Sequence, residues 1–263
     1  MSVFYNDNDP DAVKALRAAV SVGDITPGVI DDRDIKEIEP RDVKGYTRAH
    51  FFAGYGGWDD ALNFAGVPPD RFVWTGFPPC QSLSIAGSRL GFDDPRHLFP
   101  VWARLIDACK PDVIFAEQVA SADAQIWLEL VSSTLGRQGY AVWTAVLGAQ
   151  SAGAPHIRER FYVAAIRLDD AGSLGGESRS RERCPAPGFS DTSIFNAWSD
   201  PAWIECVGVN GRRALRPHKP GVYPLADGIR TSPVSAVKLY GNAIVPQTAT
   251  LFVKAVIDEF SMM

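Results

Sequence analysis

Hydrophobic positions along the chain fall into short blocks that alternate between two periods. Val3-Phe4-Tyr5 opens as an apolar strand running out into acids at Asp7 and Asp9. Residues 12–20 then carry apolar side chains at 12, 13, 16, 19 and 20, a spacing that places them on one face of a helix. A turn follows, with Asp34-Ile35 behind it. The apolar run 49–53 leads into a turn with glycines at 54, 56 and 57, and residues 58–65 put apolar side chains at 58, 61, 62 and 65, again one helical face. Strand, glycine turn and helix in that order form the grammar of a nucleotide site, because glycine lets the backbone come close to a ligand. Val113-Ile114-Phe115-Ala116 reads as a strand, another apolar run follows Arg160, and residues 248–260 place apolar side chains at 249, 252, 253, 256, 257 and 260. The last of these is a helix packing back on a sheet. Strands alternating with helices predict an α/β fold with a doubly wound sheet.

One segment breaks this rhythm. Residues 169–233 are rich in glycine and proline, among them Gly175, Gly176, Pro185, Pro187, Pro217 and Pro220, and read as loops and short strands. The expected organisation is therefore one main domain, 1–168 with 234–263, and a small loop-rich region at 169–233.

The chemistry concentrates at the ends of the predicted strands. Cys80 stands in Thr75-Gly76-Phe77-Pro78-Pro79-Cys80-Gln81-Ser82-Leu83-Ser84, where two prolines fix the backbone and withhold amide donors, so a side chain is carried in one geometry. Read alone, Cys80 is either a nucleophile or a small apolar core residue. Glu117-Gln118-Val119 ends the strand that begins at Val113, and Pro155-His156-Ile157-Arg158-Glu159-Arg160 precedes another. Ligands of α/β sheets gather at the carboxyl ends of strands, which would bring Cys80 and Glu117 to one edge.

Together with Phe51-Phe52-Ala53-Gly54-Tyr55-Gly56-Gly57 and Tyr240-Gly241-Asn242-Ala243-Ile244-Val245-Pro246, these segments resemble the signature blocks of the cytosine-C5 DNA methyltransferases, above all the compact bacterial and phage-borne members. The resemblance spans most of the chain and implies a Rossmann-like methyltransferase sheet. It assigns Cys80 as nucleophile toward cytosine C6, Glu117 as the acid at N3, and Arg158 and Arg160 as braces of the flipped base. It also implies S-adenosylmethionine as cofactor, held by Phe52, Ala53, Gly54, Gly56, Gly57, Pro78, Asn242 and Ala243. Cytosine C5 is a poor nucleophile, and a thiolate adding to C6 with an acid at N3 makes it enamine-like. Glu117 accordingly needs a raised pKa and Cys80 a lowered one. Two departures are visible: Gln118 replaces the usual asparagine after the acid, and His156 stands where glutamine is usual.

The order of blocks is unusual. About twenty residues separate the glycine turn from Pro79-Cys80, room for one helix and one strand, whereas the family places two further strands there. Their counterparts lie at the front of the chain. The resemblance thus implies a permuted chain in which Asp7 meets the ribose hydroxyls and Asp34 the adenine amino group. The alternative is that both acids only cap helices or turns.

Composition narrows the picture. The chain has 263 residues, 46% apolar and 22% charged, as in ordinary globular proteins. No apolar run is long enough to span a membrane and no signal-peptide pattern is seen, so a cytoplasmic location in a bacterial or phage-infected cell is expected. The cysteines at 80, 109, 184 and 206 lack metal-ligand or disulfide-framework spacing, which predicts reduced thiols and no metal. The net charge of −5 hides a polarity: residues 1–60 carry 7 basic and 12 acidic side chains, residues 158–238 carry 12 and 9. Phosphate contacts need only a local positive face. Double-stranded DNA is the expected partner, with a cognate restriction endonuclease as a second. Gln81, Ser84, Arg179, Arg181, Arg212 and Arg213 are the candidate DNA contacts, and Trp198 and Trp203 either pack the small region or face the nucleic acid. The same chemistry on RNA, a free nucleotide or a hypermodified base is the alternative, as is a catalytically silent relative.

Overall fold

The computed structural model describes residues 3–76, 78, 98–120, 122–154, 158–168, 202–207, 213–218 and 244–260. Strand β1 (Val3–Asn6) is buried throughout. Asp9 caps helix α1 (Pro10–Val22) by accepting from the Asp11 N–H, and Pro10 occupies the first turn, where a missing amide donor does no harm. Left-handed Gly23 ends the helix. Strand β2 (Gly28–Asp31), a 3-10 turn at Ile35–Glu37 and the short helix α2 (Pro40–Val43) follow. Strand β3 (Arg48–Phe51) then enters the glycine turn, which opens into α3 (Gly57–Phe64) and β4 (Val73–Thr75).

The second half supplies helix α4 (Phe99–Cys109), strand β5 (Val113–Val119), helix α5 (Ala122–Arg137) and strands β6 (Tyr140–Gly148) and β7 (Glu159–Arg167). Strands β8 (Ala202–Val207) and β9 (Arg213–His218) pair antiparallel in a sheet of their own, and helix α6 (Pro246–Phe260) follows.

One seven-stranded sheet runs in the order β2-β1-β3-β4-β5-β7-β6. Strands β1 to β5 are parallel, and β7 runs antiparallel to both β5 and β6. The two strands that come first in the chain therefore lie outside the glycine-turn strand, the arrangement expected of a chain whose second and third strands have moved to the front. Spatial neighbours are kept while the connections change.

Helices cover both faces. On one, Phe4, Phe51, Trp74 and Ile114 of the sheet pack with Trp102 and Ile106 of α4 and Trp127 and Val131 of α5. On the other, Phe115 and Tyr162 pack with Trp58 and Leu62 of α3 and Phe252 and Val253 of α6. Successive residues Ile114 and Phe115 serve opposite faces, as strand geometry requires. Each large apolar side chain buried this way contributes roughly 1.5–3 kcal/mol. The predicted helical faces are the buried ones: Ala12, Val13 and Leu16 in α1, and Ala249, Phe252, Val253, Val256 and Ile257 in α6.

The topology creates one working edge. Parallel strands β1 to β5 all end there, and β7, being antiparallel, begins there. Asp7, the glycine turn, Pro78, Glu117 and Arg160 arrive together for that reason.

Candidate active site

Glu117 lies opposite Tyr162 in the β5–β7 ladder, and Val119 lies opposite Arg160. The Arg160 Nε comes within 2.7 Å of Glu117 Oε1, with both side chains mostly buried. This is an ion pair rather than an aligned hydrogen bond, since Oε1 has no hydrogen-bond partner by geometry. Burial pushes the Glu117 carboxyl above its ordinary value; Arg160 and Arg158 pull the other way, and burial prevails. Arg158 is half-buried just ahead of β7. Burial, then the like charge of Arg160, holds its guanidinium below the ordinary value. It remains a cation at any working pH.

Gln118 turns away from solvent, with 6% exposure. Its Nε2 donates to the Pro78 carbonyl at 3.4 Å, and its Oε1 accepts from the Val119 N–H at 2.9 Å. The residue that departs from the family pattern thus ties the acid-bearing strand to the start of the proline turn. Pro78 itself is buried. Cys80, Gln81 and Ser84 lie outside the described residues, as does His156.

The glycine turn is the second part of the edge. Phe52 adopts a left-handed φ of 51°, unusual for a residue with a side chain, and Gly54 follows at 59°. A Cβ at Gly54 would meet nothing within 4 Å, so the backbone there is open to a close ligand. The Gly54 N–H donates to Asp7 Oδ2 at 2.8 Å, Asp7 Oδ1 accepts from the Asp9 N–H at 3.0 Å, and the Ala53 N–H donates to the Asn6 carbonyl at 3.0 Å. Asn6, buried beside it, donates to the carbonyls of Asp31 and Arg33. Asp34 caps the 3-10 turn through the Lys36 N–H. Both acids therefore make the local caps that were their alternative role, while standing at the same edge as Gly54. Gly57 is closed over by the approach to α6: a Cβ there would lie 2.8 Å from Ile244 Cγ2, and Tyr55 Oη donates to the Ile244 carbonyl at 3.3 Å. Asn242 and Ala243, one and two residues before Ile244, lie outside the described residues.

Of the candidate DNA contacts, Arg179, Arg181 and Arg212 also lie outside them. Arg213 starts β9, its backbone paired with Val207. Among the described residues no group of three or more His, Cys, Asp or Glu side chains could hold a metal ion, and no helix is long and apolar enough to cross a membrane.

Sequence reasoning missed a buried polar cluster behind the glycine turn, formed by Arg48, His50 and Asp59 with 1%, 1% and 0% exposure. The signal was present. Asp59 follows Trp58 on the buried side of an amphipathic helix, and Arg48 and His50 flank Ala49 in a strand interior, positions where charge is rare unless paired.

Comparison with known proteins adds an independent line. A family model for the C-5 cytosine-specific DNA methylase matches residues 1–190. The chain is 38% identical over 112 residues to the Type II methyltransferase M.HhaI of Haemophilus parahaemolyticus, covering 41% of this chain and 34% of that protein. It is 31% identical over 166 residues to the Type II methyltransferase M1.ScrFI of Lactococcus lactis subsp. cremoris, covering 62% of this chain and 34% of that protein. The matched part spans about a third of each relative's length. In fold, the chain is similar to the Dnmt2 methyltransferase of S. pombe, with a TM-score of 0.53 at 14% identity, covering 98% of this chain and 99% of the other. A prophage-encoded protein from E. coli, described as a DNA modification methyltransferase, gives a TM-score of 0.52 with the same identity and coverage.

Proposed function

Because the chain belongs to the C-5 cytosine-specific DNA methylase family, we propose that it transfers a methyl group from S-adenosylmethionine to C5 of a cytosine in double-stranded DNA. The observation that carries the reading is Glu117: a buried acid with a raised pKa, flanked by two arginines, at the sheet edge where the open glycine turn and Pro78 also stand. Burial shifts the carboxyl toward its protonated form, the form that an acid at cytosine N3 requires.

In this reading Cys80 adds as a thiolate to C6 of a base flipped out of the duplex, and Glu117 holds its proton at N3 as the ring takes up the electron pair. C5 then carries nucleophilic character. Bound S-adenosylmethionine supplies the electrophilic methyl group. Loss of the C5 proton expels the Cys80 thiolate and restores the aromatic ring. Arg160 orients the Glu117 carboxyl, and Arg158 adds positive potential beside it. Gln118 holds Pro78, two residues ahead of Cys80 in the sequence.

The residues present fit the cofactor. Gly54 leaves open space where a backbone must approach the ligand, left-handed Phe52 shapes the turn, and Asp7 and Asp34 bring carboxylates to the ends of β1 and β2 for the ribose and the adenine. Asn242 and Ala243, which precede Ile244 in the sequence, are the further cofactor residues in this reading. Residues 169–233 are the target-recognition region, with the basic residues from Arg179 to Arg213 meeting phosphates. The cytoplasm, where DNA is accessible, is the site of action.

The test is mass spectrometry of nucleosides from duplex DNA incubated with S-adenosylmethionine and either the native protein or Cys80→Ala. New 5-methylcytosine with the native protein alone supports reaction and nucleophile together. Cofactor binding without any modified cytosine in duplex DNA would move the reading to RNA, a nucleotide or a silent relative.

A further inference from the structure

Asp59 is fully buried in α3, the helix that grows out of the glycine turn. Its partners come from several other elements. Asp59 Oδ2 accepts from the Thr26 N–H at 2.8 Å and from Asn63 Nδ2 at 3.0 Å. Asp59 Oδ1 faces Arg48 Nη1 at 3.3 Å and His50 Nε2 at 3.6 Å. Arg48 also donates to Asn63 Oδ1 at 2.6 Å and to the Val67 carbonyl at 2.8 Å, fixing the exit of α3. His50 Nδ1 lies 2.7 Å from Thr75 Oγ1 in β4, and its ring stacks on Tyr5 of β1 with centroids 5.0 Å apart.

The network converges on Thr26, in the turn between α1 and β2. The Thr26 N–H meets Asp59, its carbonyl accepts from Tyr5 Oη at 2.8 Å, and its Oγ1 accepts from Asn63 Nδ2 at 3.2 Å. Ile25 beside it packs into the space left by Gly56, where a Cβ would lie 2.7 Å from Ile25 Cδ1. The α1–β2 turn is thus fastened to α3 by two polar groups, to the residue capping α3 by one apolar side chain, and to β1 through Tyr5.

Chain order makes that fastening matter. Helix α3 continues into β4, so no segment joins it directly to β1 or β2, and only residues 32–47 connect β2 to the glycine-turn strand. Nor is the cluster built for stability alone. Arg48 Nε and His50 Nε2 have no hydrogen-bond partner, and well-packed apolar residues in place of a buried ion pair are often neutral or stabilising. What the cluster supplies is register between two parts of one edge: the glycine turn and Asp7, whose contact is the 2.8 Å hydrogen bond from Gly54.

We propose that the Asp59–Arg48–His50 cluster is a positioning device for S-adenosylmethionine, fixing the glycine turn against the acid-bearing ends of β1 and β2 and so setting cofactor affinity without touching the cofactor. The inference rests on the methyltransferase reading above. Calorimetric titration of S-adenosylmethionine into native protein, Asp59→Asn, Asn63→Ala and Arg48→Met/Asp59→Leu tests it. Asn63 is solvent-exposed, so its variant folds even where Asp59→Asn does not. Weakening of Kd by about tenfold is expected in Asn63→Ala and the double variant, the scale on which supporting hydrogen bonds tune a bound group. The KM for cofactor should rise in parallel while the KM for DNA stays put. The double variant should recover the thermal midpoint lost in Asp59→Asn yet keep the weakened Kd, because the Thr26 N–H still lacks its acceptor. A purely structural cluster would instead lower the binding stoichiometry and leave Kd unchanged. A native Kd in Asn63→Ala, or its return with the thermal midpoint in the double variant, overturns the inference. Failure of the folded native protein to bind S-adenosylmethionine would overturn both this inference and the reading beneath it.

Discussion

Asp59 and Glu117 are carboxylates buried in the same sheet architecture, and their surroundings drive them in opposite directions. Burial alone would raise both. Around Asp59 the contacts from His50 and Thr26 outweigh burial, and the carboxyl is held well below the ordinary carboxylate range. Around Glu117 burial outweighs Arg160 and Arg158, and the carboxyl rises. The difference lies in the contacts. Asp59 accepts aligned bonds from Thr26, Asn63 and Arg48, whereas Glu117 has an off-axis ion pair at the mouth of the edge. A carboxylate fully supplied with donors is held charged to lower pH; one left short of them holds its proton to higher pH.

The sharpest way to break this comparison is to neutralise each acid in turn. Glu117→Gln should lower kcat by about 10²–10⁴, the usual contribution of a positioned acid, while cofactor affinity by calorimetry remains native. Retained turnover would show that the raised acid is idle. Asp59→Asn should cost about 3–5 kcal/mol of unfolding free energy, because the buried Arg48 loses its counter-charge; chemical denaturation measures this directly.

The pH dependences should then diverge. Asp59 has a folded pKa below its unfolded value, so its stabilisation is complete above roughly pH 5 and is lost as pH falls through and below the ordinary value of 3.8. The stability gap between native protein and Asp59→Asn should therefore close in acid. Glu117 is raised above its ordinary 4.5, so ionising it penalises the folded state, and native protein should lose ground to Glu117→Gln as pH climbs above that value. Parallel curves would refute the contrast. His50 adds to the acid limb. Burial lowers its pKa, and a neutral buried imidazole costs stability once pH falls below the ordinary 6.5. The smallest effect serves as a control: the Arg17–Asp32 pair, with both side chains 59% exposed, should change stability by no more than about 0.5 kcal/mol on Asp32→Asn.

The two regions also differ in how far they could be read in advance. Glu117, Arg158 and Arg160 stand in blocks whose order and spacing are visible in one dimension. Asp59, Arg48, His50 and Thr26 come from helix, strand and turn, and although charges at such positions call for partners, nothing in their local spacing says which residues meet. Tyr5, an ordinary strand aromatic by sequence, turns out to bridge His50 and Thr26. Gln118 shows a similar limit: its departure from the family pattern is legible, but its hydrogen bond to Pro78 across the gap between β4 and β5 is not.

By itself the sequence determined the periodic faces of α1, α3 and α6, the glycine turn, the family blocks and the displacement of the acid-bearing strands to the front, because those rest on local propensity and on spacing within one segment. The tertiary structure decided the rest. It placed β1 between β2 and β3, turned β7 antiparallel so that its arginine arrives beside Glu117, and gathered a charged cluster behind the glycine turn. Register, burial and charge pairing arise only when distant segments exclude water together, and so the sign of a carboxylate's pKa shift belongs to the fold.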